Sequence, residues 1–276
     1  MPGKTLYCLG EAWLELNSPS PLASAETFSP RIGGSAAALA QAYAAQGGRA
    51  SLLTQLGKDA FGHRIADALS AAGVDTSRVC FTSRAPTPLL FGGGGEALAC
   101  RTRSSELLYA PEQLGADWAA DAGMLAFSSA CLVDSPCRYT HLAALDTART
   151  AGVPVCFVPS LRPALWPGEK TLRDTMMQFL PFADILVLTA DEMELLLDTR
   201  EYQVGLFALL RGHTQLVVLE TEAGVHAFTR AVHVFRPGLS APPEELAARL
   251  LYQISQQELT LKKLMKCSAP ALQTLL

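Results

Sequence analysis

The chain has 276 residues, 49% of them hydrophobic, and its 22 basic and 26 acidic side chains give a formal charge of -4. That length and apolar share suffice to bury a sizeable core, which argues against disorder. No basic block and no aromatic-interleaved run of lysine and arginine is present to meet a phosphate backbone, so nucleic acid is not an expected partner. From the N-terminus, strand-like and helix-like segments alternate: a strand over 5–9, a helix over 35–46, a strand over 50–55 and a helix over 60–72. The rhythm returns with strand 123–127, helix 139–151, strand 154–158, helix 169–180, strand 185–188, helix 191–197, strand 215–219 and helix 244–256. This alternation predicts a parallel sheet flanked by helices. Two stretches, 11–31 and 86–109, fall outside it; they read as extended segments joined by turns and predict a small sheet lying as a lid over a cleft. With no repeat, low-complexity tract or linker, the whole of 1–276 reads as one domain.

Apolar runs such as 185–188 and 215–219 are bounded by polar residues and fall far below the roughly 20 apolar residues of a bilayer span, so no membrane association is expected. The N-terminal MPGKTLYCLGEAW contains no long hydrophobic stretch and no small-residue cleavage signature, which predicts a cytoplasmic location. Seven cysteines, an odd number without a C-x-x-C pair, predict reduced and mostly buried thiols instead of a disulfide framework or zinc site. The five histidines (His63, His141, His213, His226 and His233) have no metal-ligand spacing and read as structural.

Three local patterns could carry chemistry. Arg31-Ile32-Gly33-Gly34-Ser35, followed by an alanine-rich run, puts two glycines at a helix start, where backbone can approach a ligand and free N–H groups favour hydroxyl or anionic oxygens; a simple glycine turn before a helix explains it equally well. Glu192 and Glu194 follow a strand and begin a helix, so they could hold hydrated magnesium at the sheet edge, or simply be first-turn acids stabilised by the helix dipole. The run Gly92 to Gly95 is not followed by an amphipathic helix with an acid about 20 positions on, which favours a hairpin tip over a dinucleotide fingerprint. No G-x-x-x-x-G-K-S/T loop and no G-x-S-x-G elbow is present.

Longer motifs point to a family. Gly10-Glu11-Ala12-Trp13-Leu14-Glu15 resembles the G-E-x-x-x-D opening of PfkB (ribokinase-like) sugar kinases, and Gly33-Gly34-Ser35-Ala36-Ala37-Ala38 is similar to their G-G-A-P-A-N. Leu56-Gly57-Lys58-Asp59-Ala60-Phe61-Gly62 with Gly73-Val74-Asp75-Thr76 closely resembles the family's first signature, and Leu161-Arg162-Pro163-Ala164-Leu165-Trp166-Pro167 resembles a stretch of fructokinases. The likeness runs in order from residue 5 to about 274. It implies a three-layer α/β/α core with a mostly parallel sheet and a small β lid, ATP and magnesium as cosubstrate and metal, a sugar as acceptor, and a homodimer formed through the lid.

The same resemblance assigns roles and exposes departures. Glu11, Glu15, Gly33, Gly34, Ala38 and Arg162 fall at sugar-binding positions, with Glu15 in place of an aspartate and Ala38 in place of an asparagine. Thr189, Glu192, Thr221 and Gly224 fall on the nucleotide and magnesium side, Thr189 replacing the asparagine of N-x-x-E. Val158 and Ser160 replace the aspartate and asparagine of D-x-N. Counting back from Leu250-Leu251-Tyr252 puts Glu244 at the catalytic aspartate of the family's G-A-G-D loop and Ala241, Pro242 and Pro243 at its anion hole. Proline has no N–H, so two donors expected to face the phosphoryl group are missing. The implied activity is ATP-dependent phosphorylation of a sugar, weak or absent; the alternative is a non-catalytic sensor or scaffold. Pro270 is expected to interrupt the last helix.

Overall fold

In the strand β1 (Thr5–Leu9) of the computed structural model, Leu6 and Cys8 join one hydrophobic cluster while Tyr7 and Leu9 join another. Side chains alternate across a strand, so a run that is apolar at every position must be covered on both faces. Ile185 and Val187 against Leu186 and Leu188, and Leu216 and Val218 against Val217 and Leu219, repeat that division further along the chain. The structure describes residues 4–115, 117–210 and 212–276.

After β1 come β2 (Trp13–Ser18), β3 (Ser29–Gly33), α1 (Ser35–Ala45), β4 (Ala50–Leu53), β5 (Gln55–Gly57), α2 (Ala60–Ala71), β6 (Val74–Asp75), β7 (Cys80–Thr82), β8 (Leu89–Gly93) and β9 (Glu96–Cys100). Then follow α3 (Pro111–Leu114), β10 (Ala122–Phe127), α4 (Pro136–Ala151), β11 (Val155–Phe157), α5 (Glu169–Phe179), β12 (Ile185–Thr189), α6 (Ala190–Leu197) and α7 (Tyr202–Leu209). The described chain closes with β13 (Leu216–Thr221), β14 (Gly224–Phe228), β15 (His233–Pro237), α8 (Pro243–Gln256), α9 (Leu261–Leu264) and α10 (Ala269–Gln273).

The main sheet runs β15-β14-β13-β12-β11-β10-β1-β4-β6 and is parallel except for the β14 and β15 edge. One face carries α1, α2 and α8; the other carries α4 to α7, giving the three layers expected. The chain leaves β1 toward β4 on one side and returns to β10 on the other, which places a reversal of strand order at the β1 and β10 pair. In open α/β sheets ligands gather beyond the carboxyl ends of the strands at such a reversal.

The stretches 11–31 and 86–109 supply β2, β3, β8 and β9, which form one four-stranded sheet in the order β3-β2-β8-β9. Gly92 and Gly93 pair within β8 and Gly94-Gly95 turn into β9, so the glycine run is a hairpin and not a phosphate loop. Three further details differ from the sequence reading. Residues 55–57 leave the main sheet to pair with β7, β14 and β15 extend its far edge, and Pro270 stands in the first turn of α10 instead of interrupting a helix. A proline in a first turn sacrifices no intrahelical bond.

Candidate active site

Two helix starts meet beyond the carboxyl ends of β1, β10, β11 and β12. The first is α1, whose N-cap Gly34 has φ 100° and whose absent Cβ would lie 2.4 Å from the Glu11 carbonyl oxygen. Only glycine tolerates both the dihedral and the approach. The alanine-rich α1 then packs along α8, where Tyr43 and Tyr252 meet edge to face with centroids 5.8 Å apart. That packing sets the first turn of α8 beside the first turn of α1, and the Ser35 hydroxyl donates to Glu244 Oε1 at 2.6 Å.

Ser160, held at φ 47° just after β11, donates to the same Oε1 at 2.6 Å, and no described residue donates to Oε2. Glu244 lines a cleft of about 800 Å³ together with Glu15, Gly33, Gly34, Ala38 and Arg162. Residues 209 and 84 positions apart in sequence thus hold one carboxylate toward one cavity.

Behind Glu244 stands Glu192, buried in the first turn of α6. It forms a capping box with Thr189: the Thr189 side chain accepts from the Glu192 N–H at 3.1 Å and Glu192 Oε2 accepts from the Thr189 N–H at 2.9 Å. Its Oε1 accepts from the Leu161 N–H at 2.6 Å, tying α6 to the loop that carries Ser160 and Arg162. Burial pushes the Glu192 pKa up to about 7, and the nearby Glu244 charge adds to the rise against the opposing pull of those N–H groups.

At the opposite end, Glu15 lies on β2 of the smaller sheet. It accepts from Trp13 Nε1 at 3.0 Å, from Arg162 Nη1 at 3.3 Å and from Arg31 Nε at 2.6 Å, and Arg31 Nη2 lies 2.5 Å from its Oε2 in the same ion pair. Burial pushes its pKa up, but the indole and the two guanidiniums outweigh that effect and hold the carboxyl below its usual range. Gly33 is required here, since a Cβ would lie 2.5 Å from the Glu15 carboxyl and from Trp13 Nε1.

The remaining candidates occupy other places. Glu11 is 1% exposed and does not line the cleft; its Oε1 accepts from the Ser35 N–H at 2.6 Å and its Oε2 from the Ser128 hydroxyl at 2.8 Å, so it anchors the start of α1 to the end of β10. Thr221 and Gly224 close the β13–β14 turn: they pair across it, the Thr221 hydroxyl donates to the Gly224 carbonyl at 2.8 Å, and Gly224 has φ 146° with no room for a Cβ. Ala241 is half-buried, Pro242 is the N-cap of α8 and lines the cleft, and Pro243 is its first residue. Glu245 and Leu246 donate their N–H groups to the Pro242 carbonyl, so Glu244 carries the first amide of that helix start left for anything else. Ser240 donates to Glu220 at 3.0 Å, placing a carboxylate against the loop before α8.

Arg31 and Ser35 stood inside the glycine motif and Ser160 at a replaced position, but their convergence on two carboxylates is a tertiary fact that their spacing did not signal. Arg249 and Glu245, on the exposed side of α8, also line the cleft. Both Glu192 oxygens already accept backbone N–H bonds, and among the described residues no three His, Cys, Asp or Glu side chains stand together in a metal-holding arrangement. Glu192 as it stands is a capping residue, one carboxylate and not a preformed cage.

A mostly parallel three-layer fold with a cleft of small-molecule size at its strand reversal, walled by a smaller sheet and presenting a carboxylate at a helix start, is the architecture of a small-molecule kinase. The chain belongs to the pfkB family of carbohydrate kinases, whose model matches residues 4–245. It is 30% identical over 224 residues to a probable fructokinase-5 of Arabidopsis thaliana, covering 79% of this chain and 69% of that one, and 31% identical over 220 residues to a probable fructokinase-3 of the same plant, covering 77% and 64%. Among solved structures, it superposes on a fructokinase with bound ATP from Xylella fastidiosa with TM-score 0.86 and 28% identity, over 96% of this chain and 85% of that one. A fructokinase from Vibrio cholerae bound to fructose, ADP and potassium ion shares the fold with TM-score 0.81 and 22% identity, over 92% of this chain and 84% of the other.

Proposed function

We propose that the cleft binds a sugar and phosphorylates it from ATP, slowly, with Glu244 as the base. The observation that carries this reading is the Glu244 carboxylate in the cleft, fixed through Oε1 by Ser35 and Ser160. In this mechanism Glu244 takes the proton of a substrate hydroxyl, whose oxygen forms the new bond to the γ-phosphorus as the bond to the ADP oxygen breaks. The positive end of α8 lies where charge develops, but Pro242 and Pro243 contribute no N–H there. Each lost donor of this kind costs on the order of 100-fold to 1000-fold in rate, so turnover far below that of an intact loop is expected.

The smaller sheet acts as the lid in this reading, 1–276 works as a single domain, and the exposed Leu98 on its outer strand β9 offers a face for pairing two copies. Seven free thiols suit a reducing, cytoplasmic setting. The experiment is a coupled assay of ADP formation with magnesium ATP and a panel of ketoses, aldoses and sugar acids, on the full chain and on Glu244→Gln. Sugar-dependent turnover that falls at least 100-fold in the variant supports the kinase; turnover indifferent to the substitution overturns Glu244 as base.

A second reading is favoured by one observation, the proline pair itself. A protein with the cleft and two donors fewer at the transfer point could bind a sugar without transforming it, as a sensor or scaffold. A rise in melting temperature with sugar but no ADP formation under any condition would establish it.

A further inference from the structure

We propose that the end of the cleft walled by the smaller sheet selects an anionic sugar, one bearing a carboxylate or a phosphate, over a neutral ketose, and that Arg31 sets this preference. The inference rests on the reading of the cleft as a sugar site.

A carboxylate offers about four acceptor positions. Glu15 accepts three protein hydrogen bonds, on Oε1 from Trp13 Nε1 and Arg162 Nη1 and on Oε2 from Arg31 Nε, and Arg31 Nη2 crowds the same Oε2 at 2.5 Å in an ion pair, so neither oxygen is open. An acceptor filled in this way takes a sugar hydroxyl only by releasing an arginine. What the cavity meets instead is guanidinium: the side chains of Arg31 and Arg162 are 68% and 43% exposed, against 7% for Glu15. Two guanidiniums on one carboxylate leave a surplus of one positive charge at this end. Arg162 is further fixed over the Trp13 ring, 5.2 Å from its centroid, so its fork is presented and not free to swing away. The other cavity-lining charges are Glu244, Glu245 and Arg249, with Glu192 behind Glu244.

The cleft is therefore polarised, with donors and positive charge by the smaller sheet and the base beside α8. A ligand that presents an anionic group to the forked donors of Arg31 and Arg162 and a hydroxyl to Glu244 matches both ends. A neutral ketose matches only the second. Arg31 matters most because its Nε hydrogen bond and its Nη2 contact both fall on Glu15 Oε2, the oxygen that neither Trp13 nor Arg162 holds.

The test is calorimetric titration of the full chain, without nucleotide, at about 0.15 M salt, using D-gluconate, D-fructose 6-phosphate and D-fructose. At least one anion is expected to bind about tenfold or more tightly than fructose, the scale of a charge-assisted hydrogen bond. The two anions tell a carboxylate site from a phosphate site. Arg31→Ala frees Glu15, so it should weaken the preferred anion and strengthen fructose together, while Arg31→Lys keeps the charge and part of the preference. Fructose binding as tightly as both anions, or an Arg31→Ala variant that folds normally and keeps the wild-type order, overturns the inference and leaves the sugar cleft standing. Heat from none of the three overturns the sugar cleft itself.

Discussion

Glu192 and Glu244 show how two carboxylates can share one corner of a protein. A carboxyl whose pKa is raised on folding binds its proton more tightly folded than unfolded, so its stabilising contribution is complete below the ordinary value of 4.5 and is lost as pH rises through about 7. The melting temperature should accordingly fall between about pH 5 and pH 8, by an amount corresponding to about 2 kcal/mol from Glu192. In Glu244→Gln, with the neighbouring charge removed, the same fall should end at lower pH and be smaller. A profile that does not change on that substitution would sever the coupling between the two groups. Gly34 makes a second residue-level case. Gly34→Ala would set a methyl 2.4 Å from the Glu11 carbonyl at φ 100°, and should cost about 2 kcal/mol or more in denaturant unfolding. The glycine pair was legible in the sequence; which atom crowded it was not, because Glu11 approaches from 23 residues earlier in the chain.

Among the elements, α8 bears most directly on the cleft, which its first turn lines with Pro242, Glu244 and Glu245. Ser240-Ala241-Pro242-Pro243-Glu244-Glu245 could be read directly as a well-marked helix start, and the helix begins at Pro243. That reading and the catalytic one are compatible, since the capped turn is also the wall of the cleft. The double variant Pro242→Ala/Pro243→Ala restores two amides there. If missing donors limit transfer, its turnover in the coupled assay should rise at least tenfold, while stability falls by about 1 kcal/mol as the unfolded chain regains freedom. Unchanged turnover would mean that something other than those amides is limiting. In α6, where the spacing suggested first-turn acids favoured by the helix dipole, Glu192 closes a capping box with Thr189, and the same glutamate also receives the Leu161 N–H from another loop. The capping bonds are local to the helix start, and only the tertiary placement of the loop after β11 supplied the bond from Leu161.

At the scale of the whole molecule, two apolar layers on opposite faces of one sheet hold the cleft residues in register. The C-terminal segment contributes to this: Leu272 and Leu275 are fully buried in the layer that contains α1 and α8, and α10 packs on β15. Leu272→Ala should lower stability by about 2–5 kcal/mol, the usual cost of emptying a buried leucine site, and with it the melting temperature by several degrees. Among the described residues no helix is long and apolar enough to cross a membrane, in keeping with the short apolar runs of the sequence. The sequence alone determined the alternation of strands and helices, the two extended stretches outside it and the family, since each is written in local periodicity or in contiguous motifs. The β14 and β15 edge escaped that reading because its strands interleave aromatic, histidine and basic residues in place of an apolar run. Only the tertiary structure decided that Ser35, Ser160 and Glu244 converge on one point and that Arg31 and Arg162 both close on Glu15. Such contacts join residues far apart in the chain, and their geometry is fixed by how helices and sheets pack, which no spacing along a single strand or helix encodes.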